Sequence, residues 1–183
     1  VRQDVYMYFE DAVFNRFDIS IRRFLLELAP FEFFGPELAK MVSGDKNAGE
    51  ILDFLQKNTT MMLYENVNKA RFWPQFRNFL MWKAERTYTT EQLQTLYNRG
   101  GLYYELHDDY ARALECYSKS GDHKKISEIL TKNSKLNQGI GRYADVEKYY
   151  RALAEKEILE SPSLMQGMCM LSALCNDYAE SEK

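Results

Sequence analysis

From Tyr6 to Phe17 apolar residues return at helical spacing (Tyr6, Phe9, Val13, Phe14, Phe17), which predicts a first helix. Ser20 is placed to cap a second, carrying Ile21, Phe24, Leu25 and Leu28 until Pro30 stops it. Gly35-Pro36-Glu37 opens a short third helix with Leu38, Met41 and Val42, and Gly44 suits its left-handed end. Asn47 and Glu50 stand at capping-box spacing before Ile51, Leu52 and Leu55. The pattern then changes. Thr59 to Tyr64 is β-branched, apolar and aromatic, Glu65 to Lys69 is a polar, Asn-bearing turn, and Ala70 to Trp73 returns as a second strand. Pro74 fixes φ and lacks an N–H, so it belongs in the first turn of a helix over Gln75 to Lys83. Helices followed by one lone hairpin, all within roughly 85 residues, follow the winged-helix plan.

A different regime starts at Thr89 and Gln92, another capping-box pair. Leu93, Leu96, Tyr97, Gly101 and Tyr104 share one helix face, and His107-Asp108-Asp109 breaks it. Tyr110, Ala113, Leu114 and Tyr117 line the next helix, which Gly121-Asp122 ends. Tyr97, Gly101, Tyr104, Ala113, Tyr117 and Ser120 fall at tetratricopeptide offsets, where small residues let two backbones approach and aromatics fill the space beside them. Asp122 caps a helix with Ile126, Ile129 and Leu130, and Asn133 to Gly141 reads as a loop. A further pair follows through Val146, Tyr149, Tyr150 and Leu153, then Ser161-Pro162 and a helix through Leu164, Met168, Leu171 and Cys175. The expected fold class is therefore mainly α. A winged-helix unit with a small hairpin occupies residues 1–86, and tetratricopeptide-like helix pairs occupy residues 87–183.

Composition narrows the function by exclusion. The 183 residues are 45% apolar and 28% charged, those of an ordinary globular protein. No apolar run reaches the roughly 20 residues a membrane span needs, and no signal segment opens the chain. The chain starts at Val1 rather than Met, so it reads as an excised fragment. Residues 1–86 carry 12 Lys/Arg and 12 Asp/Glu, against 12 and 15 in residues 87–183, so the net charge of −3 belongs to the second part. A DNA-gripping domain shows a basic face instead, and the hairpin offers only Lys69 and Arg71. Cys116, Cys169 and Cys175 are odd in number and unpaired in pattern, which fits reduced thiols and a cytoplasmic setting. No metal-ligand spacing joins them to His107 or His123, and no G-x-x-x-x-G-K-[ST] loop is present, so neither metal site nor catalysis is expected. The pairs Lys124-Lys125 and Arg22-Arg23 read as solvated helix faces.

Several segments, in this order, resemble the middle of bacterial LuxR-type ATP-dependent transcriptional activators of the maltose-regulon-activator class, which are STAND proteins. They are Ile21 to Leu28, Phe34 to Ala39, Leu52 to Asn58 and Phe72-Trp73-Pro74-Gln75-Phe76-Arg77-Asn78-Phe79-Leu80, followed by Gly100 to Asp122. The resemblance covers about residues 5–180. It implies an NTPase domain in the same polypeptide, ATP or ADP as cofactor of the full-length protein with none in this fragment, and a small-molecule inducer or protein effector. DNA would be bound only through a C-terminal helix-turn-helix absent here. Trp73 departs from the family, where this position is usually a His that contacts nucleotide phosphate, and an indole N–H carries no charge. Two readings of Trp73 stand: nucleotide sensing together with Arg77, or packing under the wing. The tyrosines divide similarly. Most fill the helix pairs, while Tyr103, Tyr110 and Tyr149 are candidates for a partner-binding groove. Two functions follow: a non-catalytic signal-relay fragment of such a regulator, or a helical-repeat scaffold for protein partners unconnected with transcription.

Overall fold

The computed structural model describes residues 2–66, 68–136 and 143–174. It is mainly helical with one small antiparallel sheet among those residues. The chain divides into two compact units, Val1–Tyr103 and Tyr104–Lys183, and the division falls inside a helix.

In the first unit α1 (Arg2–Ala12) is followed by a single 3₁₀ turn (Phe14–Arg16), α2 (Ile19–Leu28), α3 (Pro36–Ser43) and α4 (Ala48–Asn58). The hairpin β1 (Met62–Asn66) and β2 (Lys69–Phe72) leads to α5 (Pro74–Thr87), and α6 (Thr90–Leu106) begins within this unit. Three local expectations need correction. The first helix does not run to Phe17. It stops at Ala12 because Val13, Phe14 and Asn15 are weak helix formers, and the 3₁₀ turn still drives Phe14 into the core. Asp18, not Ser20, is the residue before α2, and its side chain makes no capping bond. Asn47 precedes α4 without a capping bond from its side chain. Asp45 organises that entry instead, accepting from the Asn47 N–H at 2.8 Å while its own N–H donates to Ser43 Oγ at 3.1 Å.

The hairpin pairs Met62 with Phe72, Leu63 with Arg71 and Tyr64 with Ala70, then slips by one residue toward its turn. A third segment joins it. Phe34 exchanges both backbone hydrogen bonds with Ala70, at 2.9 and 2.8 Å. This draws the wing turn so close that a Cβ on Gly35 would lie 2.3 Å from the Asn68 carbonyl oxygen. Phe34 meets Phe72 at 4.8 Å between ring centres, and Phe72 leads to Phe76. From there an aromatic cluster of Phe9, Phe14, Phe76 and Phe79, edged by Tyr6 and Trp82, fills the space between α1 and α5 with centroid spacings of 5.3–6.2 Å. Rings at such spacings add to the stabilisation their burial brings.

Thr89 and Gln92 form the expected capping box. The Thr89 N–H donates to Gln92 Oε1 at 2.9 Å, and the Gln92 N–H donates to Thr89 Oγ1 at 3.3 Å. The first part of α6 packs on the segment after α2. Phe31 meets Tyr97, and its ring stands 2.1 Å from where a Cβ on Gly100 would fall.

The second unit contains α7 (Tyr110–Ser120), α8 (His123–Leu136), α9 (Tyr143–Tyr150), α10 (Glu155–Glu160) and α11 (Pro162–Leu174). Asp109 caps α7 by accepting from the Arg112 N–H, and Asp122 accepts from the Lys125 N–H. Gly121 closes α7 at φ 75°. Ala113, Leu114, Tyr117 and Ser120 are all buried. The predicted loop from Asn133 begins too early, since α8 continues to Leu136, and the rest of that loop lies outside the described residues. The short α10 is an addition to the sequence reading, and Cys175 also lies outside the described residues. Gly167 lets α11 close on α9, because a Cβ there would meet the Tyr150 hydroxyl at 2.3 Å.

Candidate functional site

At the head of α5 the Trp73 N–H donates to the Met61 carbonyl at 2.9 Å, and the Trp73 carbonyl accepts from the Arg77 N–H at 2.8 Å. The hairpin is thereby tied to the helix through its backbone, beside the contact of the Phe72 ring with Phe76. The Trp73 indole is 46% exposed, so it is not packed away beneath the wing. Arg77, one turn on, reaches back to the end of α2. Its Nε donates to the Ala29 carbonyl at 3.0 Å and its Nη2 to the Pro30 carbonyl at 2.9 Å. The last carbonyls of a helix lack partners within the helix and carry partial negative charge, which a planar guanidinium fork matches. Trp73 and Arg77 thus share one helix head, but two of the Arg77 donors are committed to the chain's own backbone.

Arg99 repeats the device from α6, with Nη1 donating to the Val42 carbonyl at the end of α3 at 2.8 Å. Near it lies a group the sequence reading passed over. Glu27 is only 8% exposed, with Oε1 3.1 Å from Arg23 Nε. Its Oε2 is buried and has no hydrogen-bond partner among the described residues. Burial pushes the carboxyl above its ordinary value, the Arg23 and Arg99 guanidiniums pull it back, and Asp45 pushes it up again. The Tyr88 hydroxyl donates to the Arg23 carbonyl at 3.5 Å, and burial beside Glu27 pushes it up to about 12. The available signal was Glu27 itself, a lone acid inside the apolar run Phe24 to Phe31. The neighbouring Arg22 also departs from the solvated-face reading: it is half-buried, and its buried Nε has no hydrogen-bond partner among the described residues.

The two cations of the hairpin are both engaged by neighbouring groups of the unit. Lys69 pairs with Glu65 at 2.7 Å and sits 4.2 Å from the centre of the Phe33 ring, which the Arg71 guanidinium approaches at 5.8 Å.

The groove tyrosines separate by environment. Tyr103 is half-buried in the first unit, with burial and Glu37 raising its hydroxyl. In the second unit the Tyr110 hydroxyl donates to Asp108 Oδ1 at 2.7 Å, and Lys132 Nζ lies 5.1 Å from its ring centre. Tyr149 is 6% exposed and offers a partner almost no surface, so it acts as packing rather than groove lining. Tyr117 donates to Glu105 Oε2 at 2.8 Å, an oxygen that Lys125 also reaches at 3.3 Å. Cys116 is a buried thiol pushed up to about 12 by that burial, and Cys169 is exposed. No cluster of three His, Cys, Asp or Glu suited to a metal occurs among the described residues. Nor, among them, is any helix long and apolar enough to cross a membrane.

Helices α1 to α4, a hairpin bridged by a third segment and a proline-headed helix behind it define a winged-helix domain, here followed by helices. Residues 10–92 match the family model of the MalT winged helix domain, a stretch somewhat under half of the chain. Among curated proteins no relative matches.

Proposed function

We propose that this chain is a non-catalytic regulatory segment of an ATP-dependent transcriptional activator of the LuxR and STAND type. The observation that carries the reading is the match of residues 10–92 to the MalT winged helix domain. In this reading the winged helix relays the nucleotide state of an NTPase domain in the same polypeptide, where ATP or ADP is held. The helices beyond it are tetratricopeptide-like and receive a small-molecule inducer or protein effector. DNA is engaged by a helix-turn-helix elsewhere in the longer protein, which works in the cytoplasm. The engagement of Lys69, Arg71, Arg77 and Arg99 by the unit's own groups supports a relay role over a DNA-reading one.

The reading frame around the coding segment tests this. A phosphate-loop NTPase before it and a helix-turn-helix after it are expected, and a frame encoding neither overturns the reading. In the longer polypeptide, Trp73→His should tighten ADP binding measured by calorimetry if this exposed position faces nucleotide. An unchanged affinity would remove Trp73 from the sensing role.

A further inference from the structure

We propose that the outer edge of β1 is a self-pairing surface, on which the β1 strands of two copies of this chain join antiparallel about a two-fold axis at Leu63. The inference stands on the geometry of the hairpin and does not depend on the functional reading above. Alternation along the ladder fixes which backbone groups face outward. Ala70 uses both of its groups on Phe34, so its neighbour Arg71 turns toward β1, opposite Leu63. The Met61 carbonyl, two residues before Leu63 and in the same phase, accepts from the Trp73 N–H at 2.9 Å. Met62 and Tyr64 therefore point their N–H and C=O groups away from β2. Those four groups have no hydrogen-bond partner among the described residues. Among these residues, β2 is the one element that runs alongside β1. Such an edge is a template for another strand, and proteins guard it with Lys, Pro or a bulge. Met62-Leu63-Tyr64 contains neither Lys nor Pro, and the ladder slips only beyond it, between Tyr64 and Asn66.

The symmetry of the open groups about Leu63 selects a second copy as the occupant. With Leu63 opposite the partner's Leu63, Met62 exchanges both hydrogen bonds with the partner's Tyr64, and Tyr64 with the partner's Met62. All four groups on each strand are then satisfied. The stretch is closed at both ends, by the Met61 N–H donating to Thr59 Oγ1 at 3.1 Å and by the slip at Glu65. The buried Met62 and Tyr64, whose hydroxyl donates to the Leu52 carbonyl at 3.1 Å, share the face toward α4. Half-buried Leu63 lies on the other face, where an apolar side chain meets its own copy at the axis. Charge does not oppose the pairing. Glu65 falls opposite the partner's Met61 and keeps its own Lys69 at 2.7 Å, and residues 1–86 balance 12 basic against 12 acidic groups. A join this short makes a weak, concentration-dependent dimer.

Sedimentation equilibrium of the intact chain from micromolar to millimolar concentration, with amide hydrogen exchange at each end of that range, tests the proposal. A monomer–dimer equilibrium is expected. The Met62 and Tyr64 amides should exchange about tenfold more slowly where roughly nine-tenths of the chain is dimeric, while the Leu63 amide, already in the ladder, stays protected throughout. Leu63→Lys sets like charges against each other at the axis and should weaken the dimer by roughly tenfold or more. Should that variant fail to fold, exchange in the wild-type chain decides alone. A chain that remains monomeric at millimolar concentration would overturn the proposal and leave the edge to a strand of another protein. Self-association that leaves Met62 and Tyr64 exchange unchanged, or that persists undiminished in folded Leu63→Lys, would overturn it as well.

Discussion

The two units are fastened by different chemistry acting over different distances along the chain. In Val1–Tyr103 the clamps are guanidiniums set on the ends of other helices, Arg77 on Ala29 and Pro30 and Arg99 on Val42, across separations of 47 to 57 residues. In Tyr104–Lys183 the corresponding ties are short-range. Tyr117 reaches Glu105 across 12 residues, Lys125 reaches it across 20, and the α9–α11 closure depends on Gly167 beside Tyr150. Long-range clamps join distant segments of the first unit, while the second relies on shorter-range side-chain ties beside the packing of α11 on both α8 and α9.

The largest expected effect comes from the aromatic cluster. Phe79 is fully buried and touches five other rings (Tyr6, Phe9, Phe14, Phe76 and Trp82). Phe79→Ala should therefore cost about 3–5 kcal/mol in chemical denaturation. Hydrogen exchange should place the loss across residues 4–103, and a loss confined to α5 would contradict the joining of the unit's distant segments. Arg77→Ala comes next, at about 2–3 kcal/mol, because it removes two charged hydrogen bonds from carbonyls at a helix end. Arg77→Lys should recover only part of this, since an ammonium cannot span both carbonyls as a fork does. Full recovery would mean that charge alone, not geometry, holds α2 to α5. Tyr117→Phe in the second unit should cost less, about 0.5–1.5 kcal/mol, because Lys125 still satisfies Glu105. A cost matching that of Arg77→Ala would erase the contrast between the units. Lys69→Ala, at the exposed wing, should lose no more than about 1 kcal/mol.

What the sequence made legible was local chemistry. Pro74 at the head of α5, the Thr89–Gln92 box, Gly44 and Gly121 at left-handed helix ends, and the polar turn between the two strands each work within a few residues. What it hid was either weak in propensity or distant along the chain. The break after Ala12 went unseen because Phe14 keeps its helical phase while its neighbours do not hold a helix. Phe34 was visible only as an apolar residue before Gly35, since its bridge is made with Ala70 on the hairpin. Arg77 stood in a recognisable segment, yet its position could not reveal that its fork closes on α2. Glu27 looked like half of an ordinary i,i+4 pair with Arg23, and only the fold shows that it is buried with its second oxygen unpartnered among the described residues.

The contrast between the units rests on how the first one uses its cations. Lys69 and Arg71 lie against Phe33, while Arg77 and Arg99 hold helix ends, so these four cations are engaged by the unit's own groups, and the proposed relay role expects no basic DNA-reading face. Fluorescence anisotropy of labelled duplex DNA titrated with the chain at physiological salt tests that claim most directly. No sequence-dependent binding is expected, and only weak association that disappears as salt is raised. Sub-micromolar binding that distinguishes one duplex sequence from another would contradict it.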